Sequence, residues 1–146
     1  MAAVVIGEVG ADRWLLDCVN ARLDFVATCE ELRNFTAKWP DARAKLVEDK
    51  ANGPAVISAM GRVVSGLIPV NPQGGKMSRA MAIQPEVEAG NWHIPTDAPW
   101  AHDFIEQSAA FPNAANDDMV DAFTQGGNWL SSAKPEYFNL SKPRGW

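Results

Sequence analysis

The chain opens with a short apolar, β-branched block, "AAVVIGEV" (2–9), closed by "GAD". A block of this kind bounded by turn residues predicts a strand. "RWLLDCVN" (13–20) predicts a second strand, so the two are expected to form a hairpin. The period then changes. Between residues 24 and 39, Phe25, Val26, Cys29, Leu32, Phe35 and Trp39 recur at helical spacing, and Pro40 stops the run. "AKLVED" (44–49) predicts a short buried strand ending in charge. "GPAVISAMGRV" (53–63) predicts a helix with Pro54 in its first turn, where a missing N–H costs nothing. "GLIPV" (66–70) predicts another strand.

"NPQGGKMSR" (71–79) reads as a Gly-rich basic loop. "MAIQPEVEAG" (81–90) reads as partly helical, with Pro85 as an interruption or a new start. "NWHIP" (91–95) is extended, and "APWAHDFIEQSAAF" (98–111) is helical. "NAANDDMVDAFTQGGNWLSSA" (113–133) is the last helix, weakened at Gly126–Gly127. The end, "KPEYFNLSKPRGW" (134–146), has too little apolar surface to fold alone and is expected to be a flexible tail behind a single domain at 1–133. Leading strands followed by alternating helices and strands predict an α/β fold, a mixed sheet flanked by helices.

Composition narrows this picture only a little. A net charge of −5 over 146 residues argues against a whole-surface interface with nucleic acid, while leaving room for a local basic strip. Cys18 and Cys29 fit no zinc spacing and read as reduced thiols of the core. No apolar run is long enough for a membrane span, and "MAAVVIGEVG" has no basic leader, so neither a membrane partner nor a signal peptide is expected. His93, between Trp92 and Ile94, reads as a strand residue, and His102 as a helix-surface residue.

The candidate chemistry lies in two acidic clusters. In "LVEDKANG" (46–53), Glu48 and Asp49 sit at the carboxyl end of a strand, before a turn shaped by Asn52 and Gly53 and a helix. That edge is where open α/β sheets bind ligands. In "NDDMVDAF" (116–123), Asp117 and Asp121 are four apart and share a helix face, while Asp118 precedes Asp121 by three. Like charges at these spacings destabilise a helix by a few tenths of a kcal/mol per pair. Capping accounts for acids at the helix start but not for Asp121 beside Val120 and Phe123. Carboxylate oxygens are the ligands Mg²⁺ and Mn²⁺ prefer. The competing reading of both clusters is solvated surface charge.

"LVEDKANGPAVISAM", "EAGNWHIP" and "FPNAANDDMVDAF", in this order, resemble the nuclease domain of phage terminase large subunits, and the resemblance runs from about residue 2 to residue 130. It implies a ribonuclease H-like fold and an endonuclease that cuts concatemeric double-stranded DNA with two Mg²⁺ or Mn²⁺ ions. By the same resemblance Glu48, Asp117 and Asp118 are the catalytic acids, with Asp121 a further metal ligand. Lys50, Lys76 and Arg79 would then meet DNA phosphates. The implied partners are the packaging ATPase domain, the small terminase subunit and the capsid portal, in the cytoplasm of a bacterial host.

The sequence departs from the family in three respects. Asn116 stands where the family often has His. No Asp precedes "AAVVIGEV", although the family's first metal-binding Asp lies on a strand before the hairpin, and no G-x-x-x-x-G-K-[ST] phosphate loop occurs. The resemblance is therefore to an N-terminally truncated domain, in which one metal lacks a bridging ligand. Two functional readings follow: the endonuclease itself, or a catalytically incomplete remnant or binding module of the same fold that contacts DNA or the portal.

Overall fold

The computed structural model describes residues 1–132; the expected tail at 134–146 lies outside the described residues. The hairpin forms as the pattern predicts. Strands β1 (Ala2–Val9) and β2 (Asp12–Asn20) pair antiparallel, with a bulge between Val5 and Ile6 that leaves Leu16 without a cross-strand partner. The turn between them carries Gly10 at φ +63°, a conformation that glycine adopts without a Cβ clash. Helix α1 (Phe25–Lys38) follows, its first turn capped by Asp24, whose carboxylate accepts from the Ala27 N–H at 2.8 Å.

Strand β3 (Lys45–Glu48), helix α2 (Gly53–Met60) and strand β4 (Leu67–Val70) form one unit in which β3 and β4 pair parallel. Helix α3 (Lys76–Glu88) leads to β5 (Trp92–His93), which pairs parallel with β2, and α4 (Ala101–Ala110) and α5 (Asp118–Ser132) are the last of the described elements. An α/β architecture is thus present. The basic loop expected at 71–79 is shorter than the composition implies, because α3 begins at Lys76 with Gly75 in extended geometry before it. Pro85 lies inside α3 without ending it. Helix α5 starts at Asp118, five residues later than expected, and runs through Gly126–Gly127 unbroken. Those glycines let α5 approach its neighbours: a Cβ on Gly126 would stand 2.7 Å from Ile6 Cδ1, and one on Gly127 3.1 Å from the Trp92 ring.

Among the described residues the strands form two sheets. One sheet has the order β1-β2-β5, and β3 and β4 form a second. Each has its own core. Leu15, Cys18, Ile83, Phe104, Met119 and Phe123 pack under the first sheet, while Val56, Met60 and Val64, with Cys29, Leu32 and Leu67 against them, pack the second. The extensive helix–helix and helix–strand contacts fall within one half (β1, β2, β5, α3, α4, α5) or within the other (α1, α2, β3, β4).

A polar contact bridges the halves. The Asp17 carboxylate on β2 accepts from Trp39 Nε1 at 2.8 Å and pairs with Lys38 Nζ at 2.6 Å. The first half carries its own buried charge: the Arg13 guanidinium meets Glu8 at 2.8 Å and Glu86 at 2.7 Å, and donates to the Gly127 carbonyl and the Ser131 hydroxyl.

Candidate acidic site

Glu48 is the last residue of β3, and the chain reverses directly after it. The Asp49 N–H donates to the Val70 carbonyl at 2.8 Å, which ties the strand tip to β4. Ala51 takes φ +50°, an uncommon conformation outside glycine, and the Gly53 N–H closes the turn on the Lys50 carbonyl at 2.9 Å. Gly53 packs directly beneath the strand tip: a Cβ there would lie 1.7 Å from the Glu48 carbonyl oxygen. The Asn52 carbonyl accepts from the Val56 N–H at 3.0 Å as α2 begins. Asn52 and Gly53 are therefore parts of the turn that presents Glu48. Asp49 and Lys50 are exposed on the same turn.

The second acidic cluster sits where α5 starts. The Asp117 carbonyl accepts the first helical bond from the Asp121 N–H at 2.8 Å. Residue 118 lies about 100° around the helix axis from residue 117, so adjacent acids face different neighbours. Asp117 and Asp121, one turn apart, face α3. Lys76 Nζ contacts Asp117 Oδ1 at 2.7 Å and lies 4.0 Å from Asp121 Oδ2. Arg79 pairs with Asp121 Oδ1 through NH2 and donates to the Gly74 carbonyl at 3.0 Å through NH1. Its Nε is buried with no hydrogen-bond partner among the described residues. The hydrogen bond to Asp117 and the surrounding carboxylates raise the Lys76 pKa above the ordinary lysine value.

Asp118, by contrast, is exposed and lines a groove of about 1090 Å³ that Glu48 and Asp121 also line. The two acidic motifs, some seventy residues apart in sequence, thus open onto one cavity through Glu48, Asp118 and Asp121, while Asp117 is turned to Lys76.

Three candidate ligands share a cavity, yet among the described residues no group of three or more His, Cys, Asp or Glu side chains stands close enough to hold a metal ion. The residues present supply carboxylates to one cavity without forming a complete coordination set. Lys76 and Arg79, expected at DNA phosphates, are joined here to Asp117 and Asp121. One sequence signal for that pairing was available: a Lys and an Arg three apart match two Asp four apart across facing helices. It needed Lys76 and Arg79 to be helical, and the preceding glycines hid this. His93 lies on β5, where Nε2 contacts Asp12 at 3.0 Å and the ring stacks on Trp14; His102 lies exposed on α4. Compared with protein-family models and with curated proteins, the sequence matches none.

Proposed function

We propose that this chain is the acid-bearing part of a ribonuclease H-like DNA endonuclease domain of the kind found in terminase large subunits, and that by itself it binds divalent metal without cutting. The observation that carries this reading is the shared groove: Glu48 at a strand tip and Asp118 at a helix start open onto one cavity from opposite halves of the fold. When bound, Mg²⁺ or Mn²⁺ supplies Lewis acidity and an activated water for phosphodiester hydrolysis. The chain's part is to fix Glu48 through the Gly53 turn and to hold Asp117 and Asp121 in place through Lys76 and Arg79. Double-stranded DNA is the proposed substrate. A packaging ATPase, a small subunit and a portal are the proposed partners, in the cytoplasm of a bacterial host. Among the described residues no helix is long and apolar enough to cross a membrane.

Calorimetric titration with Mn²⁺ tests the proposal, with supercoiled plasmid as a parallel substrate. The expected result is weak binding heat that disappears in Glu48→Ala and in Asp118→Ala, with plasmid left intact. Binding that survives both substitutions, or no binding at all, removes the metal site. The clusters would then be surface charge, a reading favoured by the ion pairs that already occupy Asp117 and Asp121.

A further inference from the structure

We infer that the outer face of the β1–β2 hairpin, around the stacked rings of Trp14 and His93, is a docking surface for an arginine-bearing apolar segment of a partner protein. Residues directly opposite each other on neighbouring strands point to one face of a sheet. The pairings Gly7↔Trp14, Val9↔Asp12 and Trp14↔His93 therefore put these residues on one side. Leu16 joins them, because a Cβ on Gly7 would stand 3.1 Å from Leu16 Cδ1. Ile6, Leu15 and Trp92 point the other way, into the core that α3, α4 and α5 complete. Toward the far end of the strands Lys38 and Trp39 reach the outer face at Asp17. Around the turn the described residues leave it open to solvent, with Val9 72% and Leu16 38% exposed.

The strand pattern is that of a face built to be covered. An antiparallel strand with one solvated face alternates apolar and polar residues, whereas near-continuous apolar runs belong to strands buried on both faces. Strand β2 carries Trp14, Leu15 and Leu16 in a row. Leu15 enters the core, and Trp14 and Leu16 stand on the opposite face.

Charge specifies what covers it. On the core face the Arg13 guanidinium lies 5.5 Å from the centre of the Trp92 ring and is met by the carboxylates of Glu8 and Glu86. The outer face repeats the aromatic ring and the carboxylate without the cation. Trp14 stacks on His93 with 5.1 Å between ring centroids, and His93 Nε2 contacts Asp12 Oδ1 at 3.0 Å. The Asp12 side chain is exposed, and a carboxylate accepts at both of its oxygens. Gly7, Val9, Asp12, Trp14, Leu16 and His93 include no Lys or Arg. A guanidinium is planar, stacks on aromatic faces and pairs with a carboxylate through two N–H groups, which a lysine ammonium cannot do. Val9 and Leu16 beside it call for apolar residues next to the arginine. Two copies of this face set against each other would bring together carboxylates and no arginine, so the partner presents a different surface.

This surface is separate from the acidic groove, whose Glu48 and Asp118 lie on β3 and α5. The test is a nuclear magnetic resonance titration of the full, isotope-labelled chain with the capped peptide Gly-Leu-Arg-Leu-Gly, and with the same peptide carrying citrulline or lysine in place of arginine. Trp14→Phe identifies the indole signal of Trp14. The expected result is a shift of that indole N–H and of the Val9, Asp12, Leu16 and His93 amides, with a Kd of about 1 mM or tighter for the arginine peptide. The citrulline peptide, which keeps the shape and loses the charge, should bind about fivefold or more weaker, and the lysine peptide should fall between the two. Asp12→Asn, a change at an exposed side chain, should weaken the arginine peptide about threefold. Equal binding of the three peptides would overturn the proposal, because the face would then be selecting apolar character alone. Shifts centred on Glu48 and Asp118 would overturn it as well, since the arginine would be following general acidity, as would no shift at about 5 mM peptide. Shifts of the same signals that grow with protein concentration in the absence of peptide would assign the face to a second copy and likewise overturn it. Failure here leaves the Mn²⁺ titration unaffected, and the converse holds.

Discussion

Gly53→Ala tests the geometry on which the site depends. The added methyl group would stand 1.7 Å from the Glu48 carbonyl oxygen and 2.9 Å from its carbon, so the turn must open until the nearest approach reaches at least 3.0 Å. The atoms in the way are backbone, and three bonds pin them: Asp49 N–H to Val70, Gly53 N–H to Lys50 and Val56 N–H to Asn52. Overpacking costs about 1–3 kcal/mol, and pinned backbone places this case near the upper end. Loss of glycine's freedom in the unfolded chain returns about 0.4–1 kcal/mol. The net expectation is a loss of about 2–2.5 kcal/mol, or roughly 4–10 °C in Tm at 2–4 °C per kcal/mol for a chain of this size. Gly75→Ala is the control, because a Cβ there meets nothing within 4 Å and the unfolded-state effect is similar. Thermal and urea unfolding of both variants measure the difference. Because the same displacement moves Glu48, the Mn²⁺ heat of Gly53→Ala should fall as well. A Gly53→Ala variant within about 0.5 kcal/mol of Gly75→Ala, the usual scatter of a neutral substitution, would refute the turn as the element that sets Glu48.

Arg13→Met should cost about 2–3 kcal/mol in urea unfolding, less than breaking a fully buried pair, because Glu8 and Glu86 each remain about a third exposed. Met119→Ala, at a side chain 1% exposed, should cost about 2–5 kcal/mol by the same assay. Burial and the neighbouring Asp17 push the Cys18 thiol up to about 12, so a thiol reagent at pH 8 should modify native Cys29 and leave Cys18 unmodified until unfolding. Burial raises the Asp17 pKa, but hydrogen bonds from Lys38, Trp39 and the Cys18 amide outweigh it and hold the group below the ordinary 3.8. The stability it contributes is therefore present above that value and lost as pH falls through the folded-state pKa, so urea midpoints between pH 5 and pH 2.5 should decline less steeply in Asp17→Asn.

The elements that local pattern can specify were legible, namely the hairpin, α1, the β3–α2–β4 unit and the turn at Asn52–Gly53. Where the reading failed, tertiary packing outweighed local propensity. The start of α5 is one such place, five residues later than the pattern predicts; the helix does run through Gly126 and Gly127 as expected, and these residues, which weaken it locally, are where α5 presses on Ile6 and Trp92. Gly74 and Gly75 suggest a loop that swallows Lys76, when they only end one. The parallel β2–β5 pairing joins Arg13 and Trp14 to Trp92 and His93 across some eighty residues, and no periodicity announces such a partner. The division of the sheet is likewise invisible locally, because each strand carries its own apolar pattern whether or not both of its edges are paired.

The site shows the same limit in one motif. Sequence reasoning treats Asp117, Asp118 and Asp121 as a cluster with a common purpose, whereas a helix turns each residue by about 100°. Asp117 and Asp121 fall on the side facing α3 and are balanced by Lys76 and Arg79. Asp118 faces the groove that Glu48 enters from the other half of the molecule. The cations thus neutralise the two acids whose repulsion at i,i+4 would otherwise weaken the start of α5. Of the three acids that line the groove, Asp121 is already balanced by Arg79, which leaves Glu48 and Asp118 to act on a ligand. Stability of the helix and readiness of the cavity are in this way assigned to neighbouring residues. Lys76→Ala should therefore loosen the start of α5 while leaving Glu48 and Asp118 where they are, a separation that amide exchange of α5 and Mn²⁺ titration of the same variant would read independently.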